Sequence, residues 1–395
     1  MPRIEWTEND HANSPVQYAH WHSESGAAPP RRIVVADDRT RAAAAHRLAC
    51  EGTALLWRGD FHGARQLLGA LGRRVDRKTP APGATPADAF HLHRRARGHR
   101  ARVLGMLLVL LDGEYRLGLR RAPDVRTACR EAYGPPDGPT VVSLRELLGV
   151  IGAHEWRTKG VRVPALGARI HPHYGVFSPV RGEYVDLVAR APLPGSGAAP
   201  RPRTAFDVGT GTGVLAALLA RRGVERVVAT DINPRAVACA RDNVERLGLA
   251  GRVEVLGAGL FPPGRAALVV CNPPWLPARP TSAVEQGVYD PGGAMLHGFL
   301  AGLAAHLEPA GEGWLVLSDL AERLRLRSRE ALLADFDAVG LRVVDRLDIA
   351  PRHPRAADPT DPLHAARAAE VTSLWRLAPG LGSADATVDG TLADQ

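Results

Sequence analysis

A glycine-rich loop with the sequence DVGTGTG constrains the fold of this chain more than any other feature. Residues 204–208 before it have the apolar character of a buried strand, and residues 214–222 after it have the composition of a helix. Three glycines, Gly209, Gly211 and Gly213, allow the backbone to turn sharply and to approach a ligand closely. A strand that enters a helix through such a loop is typical of a nucleotide-binding α/β sheet.

Two acidic residues suggest which ligand this loop holds. Asp207 directly precedes the glycines, and Asp231 follows the next predicted strand. A carboxylate after that strand can accept hydrogen bonds from both hydroxyls of a ribose, so an adenosine cofactor fits. The spacing is GxGxG rather than GxGxxG, and Asp207 would repel a pyrophosphate but suit a cationic amino-acid cofactor. The loop therefore disfavours a dehydrogenase that binds NADH.

Beyond about residue 168, short β-branched runs alternate with helical windows rich in Ala and Leu, which predicts a parallel sheet covered by helices. The predicted strands are 204–209, 225–230, 252–256, 267–271, 313–318, 341–349 and 369–377. The predicted helices are 213–222, 233–248, 293–307 and 328–339.

Three motifs, DVGTGTG, ATDINPRAV and NPPW, together resemble those of class I S-adenosylmethionine-dependent methyltransferases, over roughly residues 170–378. The resemblance implies S-adenosyl-L-methionine as cofactor, and an α/β, Rossmann-like seven-stranded mixed sheet with an antiparallel last strand, preceded by an N-terminal accessory α+β domain. It implies that the cofactor is bound by Asp207, Gly209, Thr210, Gly211, Gly213 and Asp231. The adenine contact stays open, because many relatives have an acid after the third strand and residues 256–261 read LGAGLF.

The NPPW motif, Asn272-Pro273-Pro274-Trp275, follows the fourth predicted strand of this region. In the family that the chain resembles, it marks methylation of planar nitrogens. Such a nitrogen is a poor nucleophile because its lone pair is delocalised, so it must be aligned with the methyl group. The Asn272 side-chain oxygen and the Pro273 carbonyl can accept its two N–H bonds, while Trp275 stacks on the planar group. Pro273 and Pro274 fix the loop, so all four residues are expected to be catalytic.

A third segment, residues 171–188, resembles the one that precedes the core of these N-methyltransferases. There an aromatic residue and a proline close over the cofactor and a following acid starts a helix. The resemblance implies these roles for Phe177 and Pro179, and a related role for Gly175 and Glu183.

The acceptor is less defined than the catalytic class. The segment from Asp207 to Trp275, with VYDP at 288–291, is most similar to the glutamine N5-methyltransferases of peptide-release factors, although Trp275 replaces their usual Tyr. The N-terminal half resembles instead that of ribosomal-RNA guanine N2-methyltransferases, whose Phe after NPP is absent. We expect methylation of glutamine N5 in a translation protein such as a release factor. The alternatives are methylation of a ribosomal-RNA base, at guanine N2 or adenine N6, and a catalytically silent methyltransferase fold that binds RNA or protein.

Charge is distributed unevenly along the chain. Residues 1–170 contain 27 Lys and Arg against 17 Asp and Glu, whereas the whole chain has a formal net charge of +8. This asymmetry is typical of a domain that touches nucleic acid or an acidic partner, but a general preference for arginine also produces it. The basic segment Arg94–Arg102 is the candidate for phosphate contact, and the alternative is a solvated helix face or a solvated loop. In the long connection 350–368, Arg352 and His353 are candidates for gating the acceptor.

In the N-terminal half, the pattern predicts at least two helices between residues 40 and 75, a hairpin that turns at Asp112-Gly113, and a helix over 142–156.

The sequence predicts a protein of the reducing cytoplasm without a membrane segment. Its four cysteines are scattered without a CxxC pair, and it has no apolar run long enough to span a bilayer. No set of Cys, His or Asp residues at the spacing of metal ligands accompanies His91 and His93 in the sequence, so we expect no metal site there. The predicted units are a flexible leader, a basic accessory (substrate-docking) domain, a methyltransferase domain and a disordered tail, at 1–40, 41–165, 166–378 and 379–395.

Overall fold

A computed structural model describes residues 2–8, 15–77, 83–180, 182–195, 202–257, 259–280, 282, 284–352 and 356–380. In these residues the chain forms a six-stranded sheet, a seven-stranded sheet and a small two-stranded sheet.

The strands are β1 (Arg3–Thr7), β2 (Val16–Trp21), β3 (Arg32–Ala36), β4 (Thr53–Trp57), β5 (Leu107–Leu111), β6 (Thr140–Ser143), β7 (Val161–Val163), β8 (Ala168–Ile170), β9 (Thr204–Val208), β10 (Arg226–Asp231), β11 (Val253–Gly257), β12 (Ala266–Cys271), β13 (Leu307–Ser318), β14 (Leu341–Ile349) and β15 (Thr372–Pro379). The helices are α1 (Ala42–Cys50), α2 (Phe61–Asp76), α3 (Pro86–Gly105), α4 (Arg126–Tyr133), α5 (Leu144–Lys159), α6 (Glu183–Arg190), α7 (Val214–Arg221), α8 (Pro234–Arg246), α9 (Ala294–His306), α10 (Leu320–Arg323), α11 (Arg329–Ala338) and α12 (His364–Ala368). Short 3₁₀ turns occur at Pro164–Leu166, Val284–Gly287 and Pro291–Gly293.

The C-terminal sheet has the strand order β11-β10-β9-β12-β13-β15-β14. Strands β9 to β13 run parallel, and β15 lies antiparallel between β13 and β14. This confirms the predicted seven-stranded mixed sheet. All seven strands and four helices predicted in this region are present, and β13 differs most because it begins at Leu307 rather than near residue 313. Apolar clusters cover both faces of the sheet.

The strand order reverses between β9 and β12. The chain passes outward from β9 to β10 and β11, and then crosses back to place β12 on the other side of β9. In the parallel register, Asp207 lies opposite Val270 and Val208 lies opposite Cys271. The glycine loop and the NPPW motif therefore leave the same edge of the sheet from adjacent strands, where α/β proteins bind their ligands.

The N-terminal sheet has the order β1-β2-β6-β5-β4-β3, with apolar clusters on both faces. It corrects the predicted flexible leader, because residues 1–40 contain three of its six strands, β1, β2 and β3. Ile4 and Trp6 are buried on alternate positions of β1. Their period-2 alternation is the signal of a half-buried strand, but five-residue strands between turn-forming segments are difficult to recognise.

The predicted hairpin is wrong in its second arm. A turn is present, since the Tyr115 N–H donates to the Asp112 carbonyl at 3.0 Å, but the following residues form only an isolated bridge, from Leu111 to Leu117. Strand β5 pairs instead with β4 and β6, because its continuous apolar run suits a central strand buried on both faces. The two helices predicted before it are α1 and α2, with the unpredicted β4 between them.

Pro379 ends β15, and the rest of the predicted disordered tail, from residue 381, lies outside the described residues. Across the part of the chain that the structure describes, no helix combines the length and apolar character needed to cross a bilayer.

We predict that Trp21→Ala destabilises the protein by about 3–5 kcal/mol, as expected for a buried aromatic side chain. Trp21 is 6% exposed, and its indole N–H donates to the Ala27 carbonyl at 2.8 Å. Tyr18→Ala is the matched control on β2, because Tyr18 is 53% exposed, and should change the free energy of unfolding by under about 1 kcal/mol. Urea unfolding followed by circular dichroism measures both. If both substitutions change the free energy of unfolding by equally small amounts, residues 1–40 would be a flexible leader, as the sequence predicted.

Candidate functional site

The glycine loop after β9 has a backbone conformation that other residues adopt only under strain. Gly209, Gly211 and Gly213 have φ values of 71°, 56° and 79°. A Cβ atom at Gly209 would collide with the Met295 side chain, and one at Gly213 would lie 3.2 Å from Ala240 Cα. At Gly211 a Cβ would meet nothing within 4 Å, so this glycine faces open space. The loop therefore packs on α8 and α9 at its two ends and leaves its middle open to a ligand.

The buried side chain of Asp207 holds the glycine loop in this conformation. Its carboxylate, 1% exposed, accepts hydrogen bonds from the Thr210 hydroxyl at 2.6 Å and from the Ala216 N–H at 2.9 Å. Burial raises the pKa of Asp207 to about 6, against the effect of these hydrogen bonds. The carboxylate thus satisfies an N–H group in the first turn of α7 and ties the loop to β9.

Asp231, at the end of β10, holds the other side of the loop. Its carboxylate accepts from the Gly211 N–H at 3.0 Å and from the Asn233 N–H at 2.8 Å, and burial raises its pKa. Each carboxylate oxygen can accept a further bond. Asp231 also lines a cleft of about 650 Å³, whose wall includes Ile232 and Val237. Ile232 is 81% exposed, which is unusual for a large aliphatic side chain.

The sequence left the adenine contact open, and this cleft offers an apolar surface beside Asp231 for a planar ring. The sequence signal is the aliphatic Ile232 directly after Asp231, and the structure adds that Ile232 is exposed and that Gly257, at the end of β11, also lines the cleft.

The NPPW motif begins directly after β12. Pro273 is buried, and Asn272, Pro274 and Trp275 are partly exposed. The Trp275 indole N–H donates to the Asn272 side-chain oxygen at 2.9 Å, while the indole packs against the apolar clusters of the sheet. The structure therefore brings all four predicted residues to the edge where the glycine loop lies. It also adds an internal bond that the sequence analysis did not include.

The segment after NPPW connects the two motifs. The Leu276 N–H donates to the Val288 carbonyl at 3.2 Å, and the Asp290 N–H donates to the Leu276 carbonyl at 2.8 Å. The buried Asp290 carboxylate accepts from the backbone N–H groups of Met295, at 3.0 Å, and Leu296, at 3.1 Å, in the first turn of α9. Met295 in turn lies against Gly209. Sequence reasoning missed Asp290 and Met295, and the only signal was the VYDP motif.

Phe177 and Pro179 lie in the segment between β8 and α6, where Pro179 is buried and Phe177 is partly exposed. A Cβ atom at Gly287 would lie 2.7 Å from Phe177 Cβ, so Phe177 packs against the 3₁₀ turn that follows NPPW. Gly175 has a φ of 77°. The structure thus places Phe177 beside the NPPW side of the site, and its closure over a cofactor stays a prediction.

The basic segment Arg94–Arg102 forms part of α3 and does not act as one surface. Arg94 points inward and pairs with Glu285 at 3.1 Å, while Arg95, Arg97 and Arg102 are exposed. Phosphate contact by these exposed residues stays a prediction.

The connection before β15 is anchored at its start. The Arg352 guanidinium pairs with Asp186 at 2.7 Å, and its backbone N–H donates to Glu183 at 2.5 Å. His353 lies outside the described residues. Within the described residues, no group of three or more His, Cys, Asp or Glu side chains is placed to hold a metal ion.

Comparison with known proteins confirms the resemblance found in the sequence. Residues 168–339 match the family model described as methyltransferase small domain. The chain is 54% identical over 71 residues, 18% of its length, to the ribosomal protein L11 methyltransferase of Pelotomaculum thermopropionicum. It is 38% identical over 122 residues, 27% of its length, to the release factor glutamine methyltransferase of Cereibacter sphaeroides.

These matches span 23% and 44% of the two relatives' own lengths. A solved structure of the ribosomal protein L11 methylase of Lactobacillus delbrueckii subsp. bulgaricus aligns with 50% of this chain and 76% of its own, at 18% identity and a TM-score of 0.33.

We predict that Asp207→Asn changes the pH dependence of stability. Between the ordinary carboxyl pKa of 3.8 and the folded value of about 6, the folded protein keeps a proton that the unfolded chain releases. The wild type should therefore lose stability relative to the variant as pH rises from about 4 to 6, by up to about 3 kcal/mol, with no further loss above that interval. Urea unfolding of both proteins across this pH range measures the difference. A difference independent of pH would contradict the raised pKa.

Proposed function

We propose that this chain is an S-adenosylmethionine-dependent N-methyltransferase that acts on a planar nitrogen of the translation apparatus, most directly glutamine N5 in a protein such as a release factor. The observation that carries the proposal is the placement of Asn272 and Pro273 at the end of β12, beside the glycine loop of β9. A fold that only binds RNA or protein has no need of both motifs.

The residues around the glycine loop fit the cofactor. Asp231 can accept the ribose hydroxyls, Ile232 and Val237 offer an apolar surface for adenine, and the open side of Gly211 leaves room for the amino-acid part. Asp207 contributes by holding the loop through Thr210, rather than as an exposed counter-charge. When bound, the sulfonium cofactor supplies an electrophilic methyl group.

The NPPW motif prepares the nitrogen to accept that group. The Asn272 side-chain oxygen and the Pro273 carbonyl accept its N–H bonds and so direct its lone pair toward the cofactor. The Trp275 N–H uses one lone pair of the Asn272 oxygen and fixes the amide in one orientation, which leaves the second lone pair for the acceptor. The two prolines keep the loop in this shape before the acceptor arrives.

Two observations bear on the acceptor. The relatives are named for the methylation of ribosomal protein L11 and of release factors, which supports a protein of the translation apparatus and therefore a place in the cytoplasm. The exposed Arg95, Arg97 and Arg102 on α3 support contact with RNA phosphates, and so the alternative of an RNA base.

Transfer of a radiolabelled methyl group from S-adenosylmethionine into an extract of cells that lack this protein tests the function. The labelled extract is divided and treated with ribonuclease or with protease before counting. Label released only by protease supports a protein acceptor, and label released by ribonuclease supports the RNA base. No incorporation above that of a heat-inactivated control would overturn the proposal.

We predict that Asn272→Ala lowers turnover about a hundredfold or more, because it removes an acceptor of the N–H bonds that align the nucleophile. The dissociation constant for S-adenosylmethionine should stay nearly unchanged, since Asn272 contacts the acceptor side. Single-turnover kinetics and calorimetry measure the two quantities. A variant with wild-type turnover would remove Asn272 from the mechanism.

We predict that Asp231→Ala weakens S-adenosylmethionine binding by about 1–3 kcal/mol, through the loss of hydrogen bonds to the ribose. Isothermal titration calorimetry measures the effect. Glu254→Ala is the control, because Glu254 is an exposed acid on the adjacent strand β11. An unchanged dissociation constant for the Asp231 variant would place the ribose elsewhere.

A further inference from the structure

We propose that Arg94, on helix α3, is a positioning residue that holds the acceptor loop, residues 275–280, 282 and 284–291, in the arrangement needed for methyl transfer. The proposal rests on the proposed function and adds a residue to it from outside the segment that matches the methyltransferase family model.

Arg94 binds this loop at three points. Its guanidinium lies over the Tyr289 ring, 3.9 Å from the centroid. It pairs with the Glu285 carboxylate at 3.1 Å and donates to the Arg279 carbonyl at 2.5 Å. The side chain is only 14% exposed, so water competes weakly for these contacts. A planar cation with several donors can make all three contacts at once, and a lysine ammonium cannot.

An apolar contact one helical turn earlier fixes α3 against the same loop. Phe90, 2% exposed, is four residues before Arg94 and therefore on the same helix face. It belongs to a buried cluster with Leu276 and Tyr289. The cluster is completed by Leu320 and Ala321 of α10, by Leu324 directly after that helix, and by Leu363 before α12. Phe90 thus anchors the helix, and Arg94 fixes the loop.

The points that Arg94 holds are linked to the NPPW motif by hydrogen bonds and to the glycine loop by a hydrogen bond followed by a packing contact. Tyr289 lies between Val288 and Asp290, which hydrogen-bond with Leu276, the residue after Trp275. Asp290 also fixes the start of α9, whose Met295 packs on Gly209. Displacement of Tyr289 would therefore move Trp275 relative to the glycine loop. Small displacements of this kind have large effects on rate, because the reacting atoms must be aligned.

The test compares Arg94→Ala, Arg94→Lys and the control Arg65→Ala, an exposed arginine on α2. For each protein, methyl transfer gives kcat and KM, calorimetry gives cofactor affinity, and hydrogen exchange follows the Leu276 and Asp290 amides. We expect Arg94→Ala to lower kcat roughly ten- to hundredfold and to speed exchange at both amides, with little change in cofactor affinity. Arg94→Lys should recover part of kcat through its charge opposite Glu285, and Arg65→Ala should match the wild type.

The outcomes separate this inference from the proposed function. Wild-type exchange in Arg94→Ala would overturn the inference whatever the activity, because the loop would then be held without Arg94. Faster exchange with unchanged kcat would overturn the positioning role. An inactive wild type whose loop is nevertheless loosened by Arg94→Ala would refute the proposed function and leave the structural contact in place.

Discussion

The parallel pairing of β9 with β12 is the constraint on which the site depends. It places Asp207 opposite Val270, so the chain leaves both strands at neighbouring points of one sheet edge. A ligand held by the glycine loop then lies beside whatever the NPPW motif holds. The buried Asp207 carboxylate maintains this arrangement through Thr210 and Ala216, at the cost of a charge placed in an apolar environment. The conformation of the glycine loop is thus maintained at a cost in the free energy of unfolding.

The N-terminal part of the chain takes part in this arrangement, because it contacts helix α8 beside the seven-stranded sheet through charged groups at separate places. Arg235, at the start of α8, binds Glu24, and Asp242 further along the helix binds Arg157. Burial alone would raise the pKa of Glu24, but hydrogen bonds from His22 and Arg235 lower it to about 2, so Glu24 stays charged at neutral pH. Since α8 follows Asp231 by three residues, these contacts fix the element that borders the proposed ribose site.

The sequence was sufficient for the C-terminal sheet, where strands and helices alternate with strong periodicity and the motifs fall between them. It was not sufficient for β1 to β4, which are short, or for β5, whose apolar run fits a hairpin arm as well as a central strand. The site residues 207–213, 231 and 272–275 could be predicted because loop conformation and local spacing define them. Arg94 and Asp290 could not be predicted as site residues. Arg94 contacts Glu285, which is 191 residues away in the sequence. Asp290 contacts Met295 only because of the path that the loop takes in the folded protein.

Every role proposed for the site residues requires that the glycine loop and Asp231 bind an adenosine cofactor with an amino-acid part, and equilibrium binding to the purified full chain measures this. Titration with S-adenosylmethionine and, separately, with NADH should show saturable binding of the first, displaced by S-adenosylhomocysteine, and none of the second. Retention of NADH without binding of S-adenosylmethionine would contradict the proposed cofactor and identify the domain as a dehydrogenase-type fold.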